Sequence, residues 1–341
     1  MNLHSFRDLE QKFPRKKVDL PNGETLSYVD CNCSALKKGE EPPEHTVVVI
    51  PGYACDSRLM AYTLAQFGAF QDHRIISIDP RGYGESSLNQ PNWCHKENAE
   101  DMKLVLDALE IQTPIMMMGY STGAGAAAWL SLLYPERVKV VWMVSGLPLD
   151  GMRTPLLNEK MQMTGKTITT KDEAADYITR FMEPGTHNPD IHSFRAAISL
   201  VAMYDRTLPG VEDDRLKYYH NAALSHRSRT QALYANNTFN ITPIQTPTRM
   251  PTNALSNLQC PMIVVHGAND KLIKTQHVRA VTELAMVERW SPNNKLLSYY
   301  EIPSCGHLFM YDNPEAFQEL YTRALQEQVM KKRGNGNRSK L

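Results

Sequence analysis

The sequence has no surplus charge of either sign: 37 Lys and Arg balance 37 Asp and Glu over 341 residues. Without a basic excess there is little to neutralise a run of phosphates, which excludes nucleic acid as the expected partner. Long apolar runs are also missing. "TVVVI" and "VVWMV" are far too short to span a bilayer, so no transmembrane segment is expected. The first residues, "MNLHSFRDLEQKFPRKK", carry charges every few positions and offer no apolar stretch for a secretory signal. A soluble, intracellular protein is expected. Cysteine is sparse, six residues at 31, 33, 55, 94, 260 and 305, without the dense spacing of a disulfide scaffold. Cys31 and Cys33 have no second Cys/His pair nearby to complete a metal site, so reduced structural thiols are expected. No G-x-x-x-x-G-K and no G-x-G-x-x-G after a first strand is present, and there is no internal repeat. A reaction without metal or cofactor is implied.

What is present is a set of apolar, β-branched runs that each stop at Gly or Pro: "HTVVVIPG", "RIISIDPRG", "TPIMMMGYS" and "CPMIVVHG". Buried parallel strands followed by loops at their carboxyl ends have this form. Between them lie helical patterns, such as Met102, Val105, Leu106 and Leu109 on one stripe. Alternation of the two predicts an α/β fold with a mostly parallel central sheet and helices on both faces. Met116 to Met118 read as core strand residues.

The alternation stops after "KVVWMVSGLPLDG". From 150 to 255 no strong parallel strand is evident, and a connection of that length needs structure of its own. Thr170-Lys-Asp-Glu173 fits a capping box, followed by Ala174, Tyr177, Ile178 and Phe181 on one face. Asn188-Pro189 opens a second helical pattern carrying Ile191, Phe194, Ile198 and Val201. The expected organisation is a core of residues 1–149 and 256–330, an inserted helical cap at 150–255, and a mobile tail at 331–341. Asn313-Pro314 begins a last helix with Phe317, Leu320, Tyr321 and Ala324 inward, before the polar, Gly-rich "KKRGNGNRSKL".

The stretch "MMMGYSTGAG" places Gly119, Gly123 and Gly125 around Ser121 just where an apolar strand ends. Glycine gains nothing inside a strand, so a backbone shape that side chains would obstruct is indicated. Gly119-Tyr120-Ser121-Thr122-Gly123 fits G-x-S-x-G, a tight strand-to-helix turn that lifts the Ser hydroxyl out of the sheet and leaves the Thr122 amide at a helix N-terminus, aimed where an oxyanion would form. Taken alone, a Ser in that position also serves as a helix N-cap. A Ser nucleophile needs a base oriented by a carboxylate. Asp270, in the loop after "IVVHG", and His307, in the loop after "LLSYYEI", supply both in the order Ser, acid, base. His266 competes as the base but sits at a strand end and reads as packed. His95, His187, His192 and His220 have no comparable setting.

These pieces resemble a cap-bearing α/β-hydrolase. The matching segments are "VVVIPGYACDS", "IDPRGYGESS", "GYSTG", "HGANDKLI" and "GHLFMYDNPEAF", in family order from about residue 45 to 325. The resemblance implies Ser121 as nucleophile, His307 as base then acid, and Asp270 as orienter, with the Tyr53 amide as second oxyanion donor. This sequence departs from the family in having Pro51-Gly52 where His-Gly is usual, so the residue that supports the loop has changed. Asp79, Arg81, Gly82, Gly84 and Ser86 are expected to fix turns and buried polar contacts. Ser at the elbow, in place of Asp, speaks against the epoxide-hydrolase and haloalkane-dehalogenase branches.

Acyl chemistry is the expectation: a serine hydrolase, esterase- or lipase-like, cleaving a carboxylic ester, lactone or thioester of an apolar small molecule. The alternatives are a carbon–carbon bond hydrolase or a peroxidase-like enzyme on the same triad, and a ligand-binding receptor on the hydrolase fold. Methionines at 152, 161, 163 and 203 suggest a deformable apolar pocket in the cap. Ser339-Lys340-Leu341 matches the address read by the peroxisomal import receptor, which makes the peroxisomal matrix the expected location and the cytoplasm the alternative.

Overall fold

In the computed structural model the described residues are 5–33, 45–200, 208–246, 249–291 and 294–336. Val201, Met203 and Ser339-Lys340-Leu341 lie outside them. The strands are β1 (Lys16–Asp19), β2 (Thr25–Asn32), β3 (His45–Ile50), β4 (His73–Ile78), β5 (Ile115–Tyr120), β6 (Val138–Val144), β7 (Pro155–Leu157), β8 (Met163–Thr167), β9 (Met262–Gly267) and β10 (Leu297–Ile302). Eight form one sheet in the order β1-β2-β4-β3-β5-β6-β9-β10, with β2 antiparallel to both of its neighbours, β1 and β4, and the remaining pairings parallel. The apolar runs read from the sequence are its centre, and every residue of β5 and β9 is buried. Side chains alternating along these strands feed two apolar layers. One holds Val47, Met116, Trp142 and Tyr321, and the other holds Val48, Met117, Val141 and Val264. The loops at the carboxyl ends of β3, β5, β9 and β10 hold the candidate site residues, at the sheet edge where open parallel sheets bind ligands.

Residues 150–255 leave and rejoin the sheet between β6 and β9. Their described residues hold four helices longer than one turn, at Lys171–Tyr177, Ile191–Ser199, Asp214–Ser225 and Arg229–Thr238, and also the antiparallel hairpin β7–β8. The Thr170–Glu173 capping box forms in both directions. Ala174 and Ile178 are buried, but Phe181 is 49% exposed. A π-helical turn at Ile178–Met182 rotates Phe181 off the face that the sequence periodicity assigned to it. Met161 and Met163 sit on the hairpin, 40% and 77% exposed, so these two methionines face solvent instead of lining an enclosed pocket. The last helix starts at Pro314, buries Phe317, Leu320, Tyr321 and Ala324 as expected, and continues to Gly336, into the stretch whose composition suggested a tail. Lys and Arg are good helix formers and favourable at a helix C-terminus, which accounts for the extension. Among the described residues no helix is long and apolar enough to cross a membrane.

The two crossings between sheet and insertion meet at one buried side chain. The guanidinium of Arg249 donates to the carbonyls of Asp150 and Met152 in the outgoing loop and of Asn237 at the end of the helix Arg229–Thr238. Burial pulls its pKa down to about 10, despite the opposing Asp150 carboxylate, which leaves it charged at neutral pH. Arg249→Met removes all three bonds and strands buried acceptors, so a loss of about 2–4 kcal/mol is expected in denaturant unfolding. A midpoint equal to the parent's would contradict this.

His73 and His95 are also buried, with burial the main force holding the pKa of each down to about 4. The folded state thus resists protons that the unfolded chain accepts from about pH 6.5 downward. Their contribution to stability is complete above that value and is lost as pH falls toward 4. Thermal melts are therefore expected to show Tm dropping between pH 6.5 and 4, and a flat Tm across that window would contradict the assignment.

Candidate active site

Ser121, the residue after β5, sits in the left-handed region at φ 50°, a conformation costly for a residue with a Cβ. The turn holds because it is pinned on both sides: the Ser121 amide donates to Val144 O at 2.9 Å, and the Ala124 amide donates to Ser121 O at 3.0 Å. The flanking glycines are explained by close approach. A Cβ on Gly119 would run into the backbone of Gly123 and Ala124, and one on Gly123 into the carbonyl of Ile50. Gly52 is crowded in the same way, since a Cβ there would lie 2.9 Å from that of Ser121. The loop after β3 is thereby drawn down onto the elbow.

The structure brings Ser121, His307 and Asp270 into hydrogen-bond contact. Ser121 Oγ is 3.0 Å from His307 Nε2, and His307 Nδ1 is 2.7 Å from Asp270 Oδ2. All three side chains are buried, with Ser121 at 5% exposure. Thr122 follows Ser121 on the same turn, Tyr53 follows the Gly52 that crowds Ser121, and among the described residues the amide of neither donates to a protein acceptor. Asp270 is held by the backbone amides of Leu272 and Ile273, which donate to Oδ1 at 2.8 and 2.9 Å. Burial by itself raises the pKa of this carboxyl. The charges and hydrogen bonds of His307 and His266 overcome that and hold it below the usual carboxylate range, so it stays ionised. The His307 loop is fixed by Tyr120, whose hydroxyl donates to His307 O at 3.2 Å, and by the Gly306 amide donating to Asp312 Oδ2 at 2.8 Å.

The Asp79-to-Ser86 segment forms a buried support beside the oxyanion loop. Asp79 accepts from Ser27 and from the amide and hydroxyl of Ser57, Arg81 pairs with Asp101, and Ser86 Oγ donates to Asp79 O. Gly82 and Gly84 take positive φ.

Three surrounding residues were not legible as partners of the site. His226, between two cap helices, offers Nδ1 to the Ala54 amide at 3.4 Å and is kept neutral by burial, next to an Ala54 held at φ 61°. The support that Pro51 does not supply thus comes from the cap. His95 Nε2 lies 3.0 Å from Asn236 Oδ1, and Asn236 Nδ2 donates to Thr122 Oγ1 at 3.0 Å, tying another cap helix to the elbow. Both links join residues more than 100 positions apart, beyond the reach of any local sequence signal. His266 is packed, as read from the sequence, and also touches Asp270.

A serine on a strained turn, an imidazole and a buried carboxylate in hydrogen-bond contact at the rim of this sheet are an arrangement of the α/β-hydrolase class. The chain belongs to that family: the sequence model described as "alpha/beta hydrolase fold" matches residues 45–314. Two curated relatives match parts of the chain. A probable alcohol acetyltransferase of Wickerhamomyces anomalus is 24% identical over 158 residues, 43% of this chain and 44% of that protein. Bifunctional epoxide hydrolase 2 of Sus scrofa is 28% identical over 131 residues, 38% of this chain and 21% of that protein. The chain therefore spans less than half the length of these relatives. Among solved structures, an esterase from Exiguobacterium antarcticum superposes with a TM-score of 0.64 at 16% identity, covering 91% of this chain and 99% of its own. At that identity the likeness is one of fold.

Proposed function

We propose that the protein is a serine hydrolase that cleaves a carboxylic ester, lactone or thioester of an apolar small molecule through an acyl-enzyme on Ser121. The observation that supports this most is the unbroken relay from Ser121 Oγ through His307 to Asp270, at 3.0 and 2.7 Å. His307 Nε2 takes the Ser121 proton as Oγ attacks the carbonyl, and Asp270 steadies the imidazolium through Nδ1. The Tyr53 and Thr122 amides receive the negative charge on the tetrahedral oxygen. Collapse expels the leaving group with the proton from His307. Water, activated by the same imidazole, then releases the acid. Ser121 in place of an aspartate gives this chain acyl chemistry, in contrast to the ester formed on a carboxylate by epoxide hydrolases. The cap's contribution to the same apolar cluster, Phe194, Ile198 and Tyr219, favours an apolar substrate.

The test is labelling by a fluorophosphonate probe, coupled to a screen of esters, lactones and thioesters with and without an added alcohol. Labelling confined to Ser121, with hydrolysis of at least one class, supports the reading. Transfer of the acyl group to the alcohol would assign the acyl-enzyme to a transferase, in line with the acetyltransferase relative. Saturable ligand binding without labelling would return the chain to the receptor reading. Peroxisomal location through Ser339-Lys340-Leu341 remains part of the proposal, and an N-terminal fluorescent fusion that stays cytosolic would remove it.

A further inference from the structure

Asp270 has a second histidine partner that the relay does not use. His266 Nε2 lies 3.1 Å from Asp270 Oδ2, the oxygen that His307 also engages, and both side chains are fully buried. The same Nε2 is 2.8 Å from the carbonyl oxygen of Ile273. A carbonyl only accepts, so Nε2 carries hydrogen and shares it between Ile273 O and the carboxylate. Nδ1 is buried without a hydrogen-bond partner among the described residues, as the tautomer with hydrogen on Nε2 requires.

We infer that His266 is a positioning residue that fixes the catalytic carboxylate. The inference rests on the serine-hydrolase reading. Asp270 then has a full complement of donors: Leu272 and Ile273 amides on Oδ1, His307 and His266 on Oδ2. Two amides alone leave the carboxylate free to tilt about its Cβ–Cγ bond. A lateral donor on Oδ2 removes that freedom and aims the oxygen at His307 Nδ1. His266 can do this because it is the penultimate residue of β9, held in register opposite Glu301 of β10, and the loop that follows folds back through the Asp270 amide onto Gly267 O. The charged and titratable groups facing His266 are Asp270 from its own loop, with His307 beyond it, and Glu301 from β10. Glu301 is itself engaged by Arg279 and the Tyr299 hydroxyl. A histidine that only filled space would need no contact with the carboxylate.

The experiment follows the rate of fluorophosphonate labelling against pH for the wild type, His266→Leu and His266→Gln, with kcat and KM on any ester the wild type turns over. In His266→Leu the carboxylate loses a donor, becomes more basic and draws harder on the His307 imidazolium. The acid limb is expected to move up by about half a pH unit or more, and kcat to fall about tenfold with KM little changed. His266→Gln, whose amide reaches the same oxygen, is expected to recover most of both. Nitrogen NMR of the wild-type histidines is expected to find His266 protonated on Nε2 and bare on Nδ1, a reading that needs no variant to fold. Lower stability with an unmoved limb, or an Nδ1-protonated tautomer, overturns the inference while labelling of Ser121 persists. A wild type that never labels overturns the serine-hydrolase reading and this inference with it.

Discussion

Ser121→Ala is expected to lower kcat by about a millionfold and to abolish fluorophosphonate labelling, because among the described residues no other hydroxyl is hydrogen-bonded to the His307 imidazole to take over the attack. The fold should be unaffected. Alanine keeps the Cβ that the elbow already tolerates at φ 50°, and Oγ makes its one polar contact with the imidazole. Any residual rate of about a thousandfold over water would reflect the two amides alone. Ser121→Gly separates chemistry from strain: it is equally inactive but should be more stable by about 1 kcal/mol, since glycine adopts positive φ without cost. A Ser121→Ala protein that still turned over an ester within tenfold of the parent would show that the nucleophile lies elsewhere.

Asp270→Asn is expected to cost about four orders of magnitude in kcat, the largest effect of any change that leaves Ser121 and His307 in place. The reason lies in the tautomer. Asp270 Oδ2 accepts from His307 Nδ1 at 2.7 Å, which leaves Nε2 bare to receive the Ser121 proton. An asparagine carbonyl oxygen turned to the Leu272 and Ile273 amides presents its NH2 to His307, and the ring must then carry hydrogen on Nε2. Size is conserved, so burial and the loop path survive. The native carboxylate, depressed below the usual range despite its burial, contributes stability that is complete above about pH 4 and lost as pH falls further. The Asn variant should lack that component. Steady-state kinetics with active-site titration decide the matter, and a loss under a hundredfold would count against the assigned role.

How much of this could be read from the chain depended on distance. The apolar runs of β3, β4, β5 and β9, and the glycines that must admit neighbouring backbone at 119 and 123, are local signals, and they located the sheet and the elbow. The loops bearing Asp270 and His307 follow from them because parallel strands present their carboxyl ends on one edge. β1 and β2 gave no comparable signal: "KKVD" and "TLSYVDCN" mix charged and apolar residues, as antiparallel strands do. The β7–β8 hairpin was missed for the same reason, being short and largely exposed. His226 against Ala54, and His95 through Asn236 against Thr122, are pairings of cap with core. Only the folded path brings them within bonding range.

The Arg249 clasp has a consequence for how such a protein can change. The outgoing and returning chain are stitched together at a single guanidinium, and the inserted segment is tied to the core again at Ala54 and Thr122. New helices could be exchanged above the guanidinium only where His226 and Asn236, or donors and acceptors equivalent to them, are kept. Substrate choice would then evolve under a constraint set by the bond-breaking machinery beneath it.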